Sequence, residues 1–370
     1  MLILKVLVVG MTENPGGIES VIMNYFRNVD LNKIHFDFLA PFPHIAYESE
    51  IIAAGSVITS LPLRHVNPIA FRRGLEAFMK EHAMEYNAIW VNLCNLVNID
   101  FLKFAKRYGI SRRIIHCHNS QNMDGVLKNA IHKYHRKRIA EYATDFWTCS
   151  ENASSWFYGD NIRNQPTYAY IPNAIDPEEV RFDKGVRECI RKSMGWEGKI
   201  ILGNVARLHP QKNQEFLLRS LAPLLRQGDA FRLALVGDGV LRDDLMRQSE
   251  DLDIRQSVEF LGVRTDVKAL YQGMDAFLLP SQYEGVSMSF LEAQANGLPC
   301  LISSTLSDEG IVNDTVRKIP IDVAGEQMWR DAVLRLSTGD AGRGSTSLPG
   351  SEYDIHRQVQ DLYIRLSEVS

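Results

Sequence analysis

The chain has 370 residues, 45% of them hydrophobic and 23% charged, with a formal net charge of −4. This is the composition of a globular protein with room for two domains, and it excludes a disordered, collagen-like or disulfide-scaffold chain. The acidic balance argues against nucleic acid as a partner, and no run approaches the ~20 apolar residues of a bilayer span. The five cysteines, Cys94, Cys117, Cys149, Cys189 and Cys300, are scattered and form no Cys-x-x-Cys pair. They read as reduced thiols of a cytoplasmic chain without a zinc site. Charge is uneven: residues 1–170 carry 18 Lys and Arg against 15 Asp and Glu, and residues 171–370 carry 23 against 30. Halves of opposite sign suggest two domains with different partners.

The apolar run Leu2–Val9 reads as a buried strand, followed by a Gly-rich turn and an amphipathic helix from about Ile18 to Asn28. Short strands are expected at Phe36–Leu39, Ser56–Ile58, Ala88–Val91, Arg113–His116 and Phe146–Cys149, with a helix at Phe71–His82. The pattern restarts with strands at Lys199–Val205, Arg232–Gly237, Val258–Gly262, Ala276–Pro280 and Pro299–Ser303, separated by helices at Gln214–Arg226, Leu241–Leu252, Val267–Met274 and Val286–Asn296. Short apolar strands alternating with helices specify parallel sheets covered on both faces. The fold class is therefore α/β, two Rossmann-like doubly wound domains of residues 1–170 and 171–352 facing a cleft. The join is expected at Tyr168–Asn173, and a last helix within 353–370 is expected to cross back to the first domain. Ser337–Ser351 is rich in Gly, Ser and Thr and reads as a mobile loop. Ligands of such sheets bind outside the carboxyl ends of the strands, which directs attention to the loops there.

Glu284-Gly-Val-Ser-Met-Ser-Phe-Leu-Glu292 follows the strand ending at Pro280. The backbone N–H groups of Val286, Ser287, Met288 and Ser289 open a helix and can take an anion such as a diphosphate, with a carboxylate on either side for hydroxyls. The plainer alternative is a helix-dipole carboxylate at Glu284 and a solvated face at Glu292. Arg207-Leu-His-Pro-Gln-Lys212 follows the strand ending at Val205. Two fixed cations there could neutralise a diphosphate leaving group, where isolated basic residues would be surface charge. Gly16-Gly17 opens the first helix and lets a ligand approach the backbone, or makes only a tight turn. His116-Cys-His118 ends a strand with both histidines on one side, a spacing open to metal but without a further Cys or His partner nearby. Asp251-Leu-Asp253 reads as solvated. Gly237-Asp-Gly239 lacks the third glycine of a dinucleotide fingerprint, which argues against NAD. The segment 126–139 interleaves Lys128, Lys133, Arg136, Lys137 and Arg138 with apolar residues. It is either a solvated helix or a face that docks on an anionic membrane surface.

Together these stretches, with Ile171–Asp176, Leu235–Gly239, Phe260–Gly262 and Asp275–Ser281, resemble the group 1 (family 4) GT-B glycosyltransferases over nearly the whole chain. The nearest likeness is to bacterial capsule and exopolysaccharide transferases. The resemblance implies a retaining, metal-independent enzyme without other cofactor. It moves a sugar from a nucleotide sugar, with UDP as the expected carrier, to a glycan or lipid-linked acceptor, at the cytoplasmic face of the membrane. It implies that Arg207 and Lys212 grip the diphosphate, Glu292 the ribose and Glu284 the sugar. Backbone at Gly262 and Val263 meets the base, that of Gly285 to Ser289 the donor, and Gly17 faces phosphate and acceptor. His118 aligns with a histidine near the transferred sugar, and His116 is the alternative. Val286-Ser-Met-Ser289 departs from the proline and aliphatic residues common there. Two rival functions remain: an epimerase or phosphorylase of the same fold, and a non-catalytic sugar-nucleotide binder.

Overall fold

Val6, Leu7, Val8 and Val9 form an uninterrupted buried run because the strand that carries them has helices on both faces. The structure is a computed structural model and describes residues 3–118, 125–336, 343 and 345–367. The chain divides into two units, Met1–Ala174 with Ile355–Ser370, and Ile175–Asp354.

In the first unit β1 (Leu4–Val9), α1 (Gly17–Asn28), β2 (Ile34–Ala40), α2 (Glu48–Ala53), β3 (Ile58–Ser60), α3 (Pro68–His82) and β4 (Ala88–Leu93) are followed by α4 (Asp100–Arg107), β5 (Arg112–Cys117), α5 (Val126–Arg136), β6 (Asp145–Thr148), α6 (Glu151–Phe157) and β7 (Tyr168–Tyr170). All strands pair in parallel in the order β3-β2-β1-β4-β5-β6-β7. Strand order reverses between β1 and β4, so the crevice of this sheet opens at the carboxyl ends of those two strands. Local chemistry sets the element ends: Asn67 caps α3 by accepting from Ala70 N at 2.9 Å, with Pro68 in the first turn.

Two boundaries differ from the sequence reading. The third strand lies at Ile58–Ser60 and not Ser56–Ile58, because Val57 N donates to the Asp37 carboxylate at 2.8 Å and its side chain is exposed. Tyr168–Tyr170, expected to belong to the join, is instead the last strand of the first sheet.

In the second unit α7 (Lys184–Met194), β8 (Ile200–Val205), α8 (Gln214–Leu225), β9 (Phe231–Val236), α9 (Arg242–Asp251), β10 (Val258–Gly262) and α10 (Val267–Gly273) lead to β11 (Ala276–Leu279), α11 (Met288–Ala295), β12 (Cys300–Ser303), β13 (Val316–Ile319) and α12 (Val323–Leu334). The sheet is again parallel, in the order β10-β9-β8-β11-β12-β13, and reverses between β8 and β11. Polar contacts of Asp275 and Asn296 fasten it. Asp275 receives Arg187 at 2.6 Å and Arg191 at 3.1 Å, and Asn296 Nδ2 donates to Val180 O at 2.6 Å. The expected mobile loop is corrected where it is described. Leu348 is fully buried and Ser347 N donates to Asn313 Oδ1 at 3.0 Å, while residues 337–342 and 344 lie outside the described residues. The final helix, α13 (Ile355–Ser367), packs with α1 in the first unit, where Lys33 Nζ sits 5.3 Å from the Tyr363 ring.

Candidate functional site

The loops after β8 and β11 meet at the reversal point of the second sheet, and buried polar groups fix both. Asn204, fully buried on β8, donates to Leu278 O at 2.8 Å and accepts from Gln214 Nε2 at 3.3 Å. The same Gln214 amide reaches Arg207 O at 3.1 Å. Leu208 buries its side chain in the core between Arg207 and His209, so the loop is pinned at its middle. Gln211 ties the two loops directly, with Nε2 donating to Tyr283 O at 2.9 Å and its carbonyl accepting from Gln282 N at 2.9 Å. Asn213, at φ 56°, turns the chain into α8 and donates to Pro280 O at 3.2 Å. Gly237 and Gly239 come close beneath this loop. A Cβ would stand 2.2 Å from Ala206 O at Gly237 and 2.3 Å from Leu208 O at Gly239. Their glycines serve this packing.

This scaffold carries the charged side chains marked from sequence. Lys212 Nζ lies 2.5 Å from Glu284 Oε1, so the cation of one loop and the carboxylate of the other already form an ion pair. Arg207 is exposed, and its guanidinium has no hydrogen bond or ion pair among the described residues. His209 accepts from Gln211 N at 3.3 Å; burial and the neighbouring Arg207 and Lys212 hold its imidazole below its ordinary pKa, so it is neutral.

The helix α11 begins at Met288 and not at Val286, because the Val286 side chain is buried in a small core with Leu291 and Tyr353. Ser287 is the N-cap residue, and its hydroxyl lies 3.1 Å from that of Ser289 without capping the helix. The first-turn N–H groups of an α-helix have no partner within it, so this end of α11 offers donors beside Glu284. One turn on, Glu292 Oε2 accepts from the Tyr271 hydroxyl at 2.9 Å. Burial pushes the Glu292 carboxyl up to about 7, partly offset by that hydrogen bond and by Lys268. The side chain nevertheless keeps an opening to solvent. The plainer reading of Glu292 as a solvated face is thus overturned. Gly262 ends β10 at φ 66°, its carbonyl accepts from Gly237 N at 2.8 Å, and Val263 beside it is exposed.

The first unit has its own cluster at the β1/β4 reversal. A Cβ on Gly16 would come 2.7 Å from Glu19 Oε2, and Glu19 is buried, accepting from Thr12 N at 3.1 Å and Thr12 Oγ1 at 2.6 Å. A Cβ on Gly17 would meet nothing within 4 Å, so Gly17 borders open space. The two histidines separate cleanly. His116 lies inside the sheet, fully buried and stacked on Trp90 with ring centroids 6.0 Å apart. His118 lies just past the end of β5, half-buried, with its ring 4.1 Å from that of His116 and Nε2 2.9 Å from Asn92 Oδ1.

Residues 186–343 match the family model described as "Glycosyl transferases group 1". The chain is 31% identical over 341 residues to EpsF of Bacillus subtilis (strain 168), provisionally named a glycosyltransferase, covering 89% of this chain and 86% of that protein. The chain belongs to the group 1 glycosyltransferases. An Escherichia coli enzyme named UDP-Gal:alpha-D-GlcNAc-diphosphoundecaprenol alpha-1,3-galactosyltransferase is 27% identical over 172 residues, 45% of this chain and 44% of that one. Among solved structures, Anabaena HepE in complex with UDP and glucose superposes with a TM-score of 0.80 over 99% of this chain and all of the other, at 18% identity. WaaG, a glycosyltransferase involved in lipopolysaccharide biosynthesis, superposes with a TM-score of 0.71 over 98% of this chain and all of the other, at 17% identity. The fold is that of the GT-B glycosyltransferases.

In this glycosyltransferase no group of three or more His, Cys, Asp or Glu side chains is placed to hold a metal ion among the described residues, and Asp251 and Asp253 are exposed. No described helix is long and apolar enough to cross a membrane. The basic segment forms α5. Its inner face is histidine: His132 Nδ1 accepts from Leu96 N at 3.1 Å and His135 Nδ1 donates to Leu96 O at 2.6 Å. Arg138 is engaged by Glu141 at 2.7 Å, and Arg136 packs against Gly159. Outward lie Val126 and Leu127, 89% and 74% exposed, with Lys133, Tyr134 and Lys137. Sequence reading missed Asn92, Gln211 and Tyr271. The signal at Asn92 was a polar residue near the end of an otherwise apolar strand at the reversal point, whereas Tyr271 sits on a helix whose pairing with Glu292 no spacing reveals.

Proposed function

We propose that the protein is a retaining, metal-independent hexosyltransferase that moves a sugar from a UDP-sugar to a glycan or lipid-linked acceptor in surface polysaccharide biosynthesis. One observation carries this reading. At the reversal point of the second sheet, an unpaired Arg207 guanidinium, the Lys212–Glu284 pair, an uncapped helix end and the half-buried Glu292 lie on adjoining loops and the helix α11 they lead into. Cations and N–H donors suit a diphosphate, and carboxylates suit ribose and sugar hydroxyls. The complexes of HepE with UDP and the UDP-Gal named for the Escherichia coli relative support the nucleotide assignment.

In this mechanism Arg207 and Lys212 stabilise the charge that gathers on the departing diphosphate. The acceptor oxygen attacks the anomeric carbon from the face the diphosphate leaves. The C–O bond to phosphate breaks, and the acceptor proton passes to the departing oxygen. Glu284 exchanges part of its bond to Lys212 for a sugar hydroxyl, Glu292 takes the ribose, and the backbone at Gly262 and Val263 takes the base. Within the first unit, Gly17 and His118 are the groups proposed to meet phosphate, acceptor and sugar. The outer face of α5 lies on the anionic surface of the membrane at the cytoplasmic side, where a lipid-linked acceptor is presented. Incubation with a panel of UDP- and GDP-sugars and glycoside or polyprenyl-linked acceptors tests the reading. Acceptor-dependent UDP release, with the donor's anomeric configuration kept in the product, is expected. Donor isomerisation without UDP release would favour an epimerase.

A further inference from the structure

Asn92 is buried on β4 at the place where strand order reverses, and Gly10 at φ 139° is packed against it so closely that a Cβ on Gly10 would stand 2.7 Å from Asn92 Cβ. Its amide orientation is decided by its surroundings. One end faces the Val9 carbonyl at 3.2 Å and the Trp90 carbonyl at 3.5 Å, both acceptors, so that end is the NH2 group. The other end is therefore the oxygen, and it lies 2.9 Å from His118 Nε2. An oxygen can only accept, so Nε2 must carry the proton. The residue is held elsewhere too: its backbone N donates to Leu93 O at 3.2 Å, and the buried His116 ring packs against the His118 ring at 4.1 Å. Burial lowers the His118 pKa to about 3, so at neutral pH the imidazole carries a single proton. No hydrogen bond to Nδ1 is found among the described residues.

We propose that Asn92 is a positioning residue that locks His118 as the Nε2–H tautomer, so that its bare Nδ1 accepts a hydrogen bond from a sugar hydroxyl. This deepens the transferase reading and rests on it for the identity of the ligand. The tautomer itself does not. A ring offering only a lone pair selects a hydroxyl and rejects a group that can only accept, such as a phosphate oxygen or a carboxylate. The hydroxyl belongs either to the transferred sugar or to the acceptor.

Long-range ¹H–¹⁵N spectra of protein labelled with ¹⁵N-histidine, assigned with His118→Gln, read the tautomer directly. A bare Nδ1 is expected from pH 6 to 8, and a protonated Nδ1 in the free protein would overturn the proposal whatever the enzyme's substrate. Asn92→Ala is expected to mix the tautomers and lower kcat about tenfold, the worth of one hydrogen bond, with unchanged affinity for UDP. Unmixed tautomers with wild-type kcat would also overturn it. Asn92→Asp keeps an acceptor facing Nε2 and is expected to retain the bare Nδ1 at pH 8. Its added charge raises the His118 pKa, so its activity should fall as pH drops and the lone pair is lost. Should Asn92→Ala fail to fold, this variant carries the test. A shift of the Nδ1 resonance on adding UDP-sugar, but not UDP, assigns the hydroxyl to the transferred sugar; a shift with glycoside acceptors alone assigns it to the acceptor. No shift with either, in protein that thermal unfolding shows to bind UDP-sugar, would overturn the hydroxyl assignment. No binding of any nucleotide sugar would instead fault the transferase reading.

Discussion

Lys212 and Glu284 form an ion pair at 2.5 Å that ties the loop after β8 to the loop after β11, although the two residues are far apart in sequence. The pair gives the two cations of the first loop different standing. Lys212 satisfies a largely buried carboxylate before any ligand arrives, and Arg207 satisfies nothing.

Substitution should therefore separate them. Arg207→Ala is expected to lower turnover by about 10²–10³-fold, the usual loss of one donor to a developing charge, with no change in thermal stability. Lys212→Ala is expected to show a similar kinetic loss and also to destabilise by about 1–3 kcal/mol, because Glu284 is left buried without its partner. Nucleotide-release kinetics and thermal unfolding of the two variants check both. Equal stabilities would show that the ion pair holds nothing together.

If Glu292 holds the ribose as proposed, donor binding depends on pH. Burial raises its carboxyl to about 7, and a carboxylate accepts from ribose hydroxyls while a protonated acid is poorer at it. UDP affinity should rise as pH passes upward through about 7, and Glu292→Gln should flatten the profile. Tyr271→Phe removes a hydrogen bond to the ionised form and should move the transition to higher pH. The same shift has the opposite sign for stability. The folded state binds this proton more tightly than the unfolded chain, so its contribution is full below about pH 4.5 and is lost as pH rises through about 7. Titration calorimetry from pH 5.5 to 8.5 measures the first effect.

Activity should persist in EDTA. On the proposed assignment the side chains of Arg207 and Lys212 take over the charge neutralisation that a divalent ion performs elsewhere. A complete loss restored by Mn²⁺ would contradict this.

The outer face of α5 should bind anionic vesicles at low salt and release them at high salt, each Lys near the surface contributing about 1 kcal/mol. Lys133 and Lys137 are the residues to change to Gln, since Arg136 packs inward and Arg138 pairs with Glu141. Equal sedimentation of wild type and double variant would leave an ordinary solvated helix.

The alternation of strands and helices was legible in the sequence because parallel strands buried on both faces show as continuous apolar runs, and the charged loops Arg207–Lys212 and Glu284–Glu292 follow such runs directly. The pairing of Lys212 with Glu284 was not legible, since it depends on β8 and β11 being neighbours, which strand order alone decides. The stretch Tyr168–Tyr170 was missed as a strand because a three-residue edge strand carries too little periodicity to register. Leu348 was missed because a single apolar residue in a Gly/Ser-rich stretch gives no pattern, yet it is buried with Tyr353 and Val286. Gly237 and Gly239 were set aside for lacking a dinucleotide fingerprint, and their actual constraint is the close approach of the Arg207 loop. Gly237→Ala should accordingly destabilise the second unit.

A crystal structure with UDP tests the central claim most directly. The diphosphate is expected within hydrogen-bond distance of Arg207, Lys212 and the first N–H groups of α11, with the ribose hydroxyls on Glu292 and the base against Gly262 and Val263. A nucleotide bound away from Arg207 and Glu292, or none bound at millimolar concentration, would contradict the account.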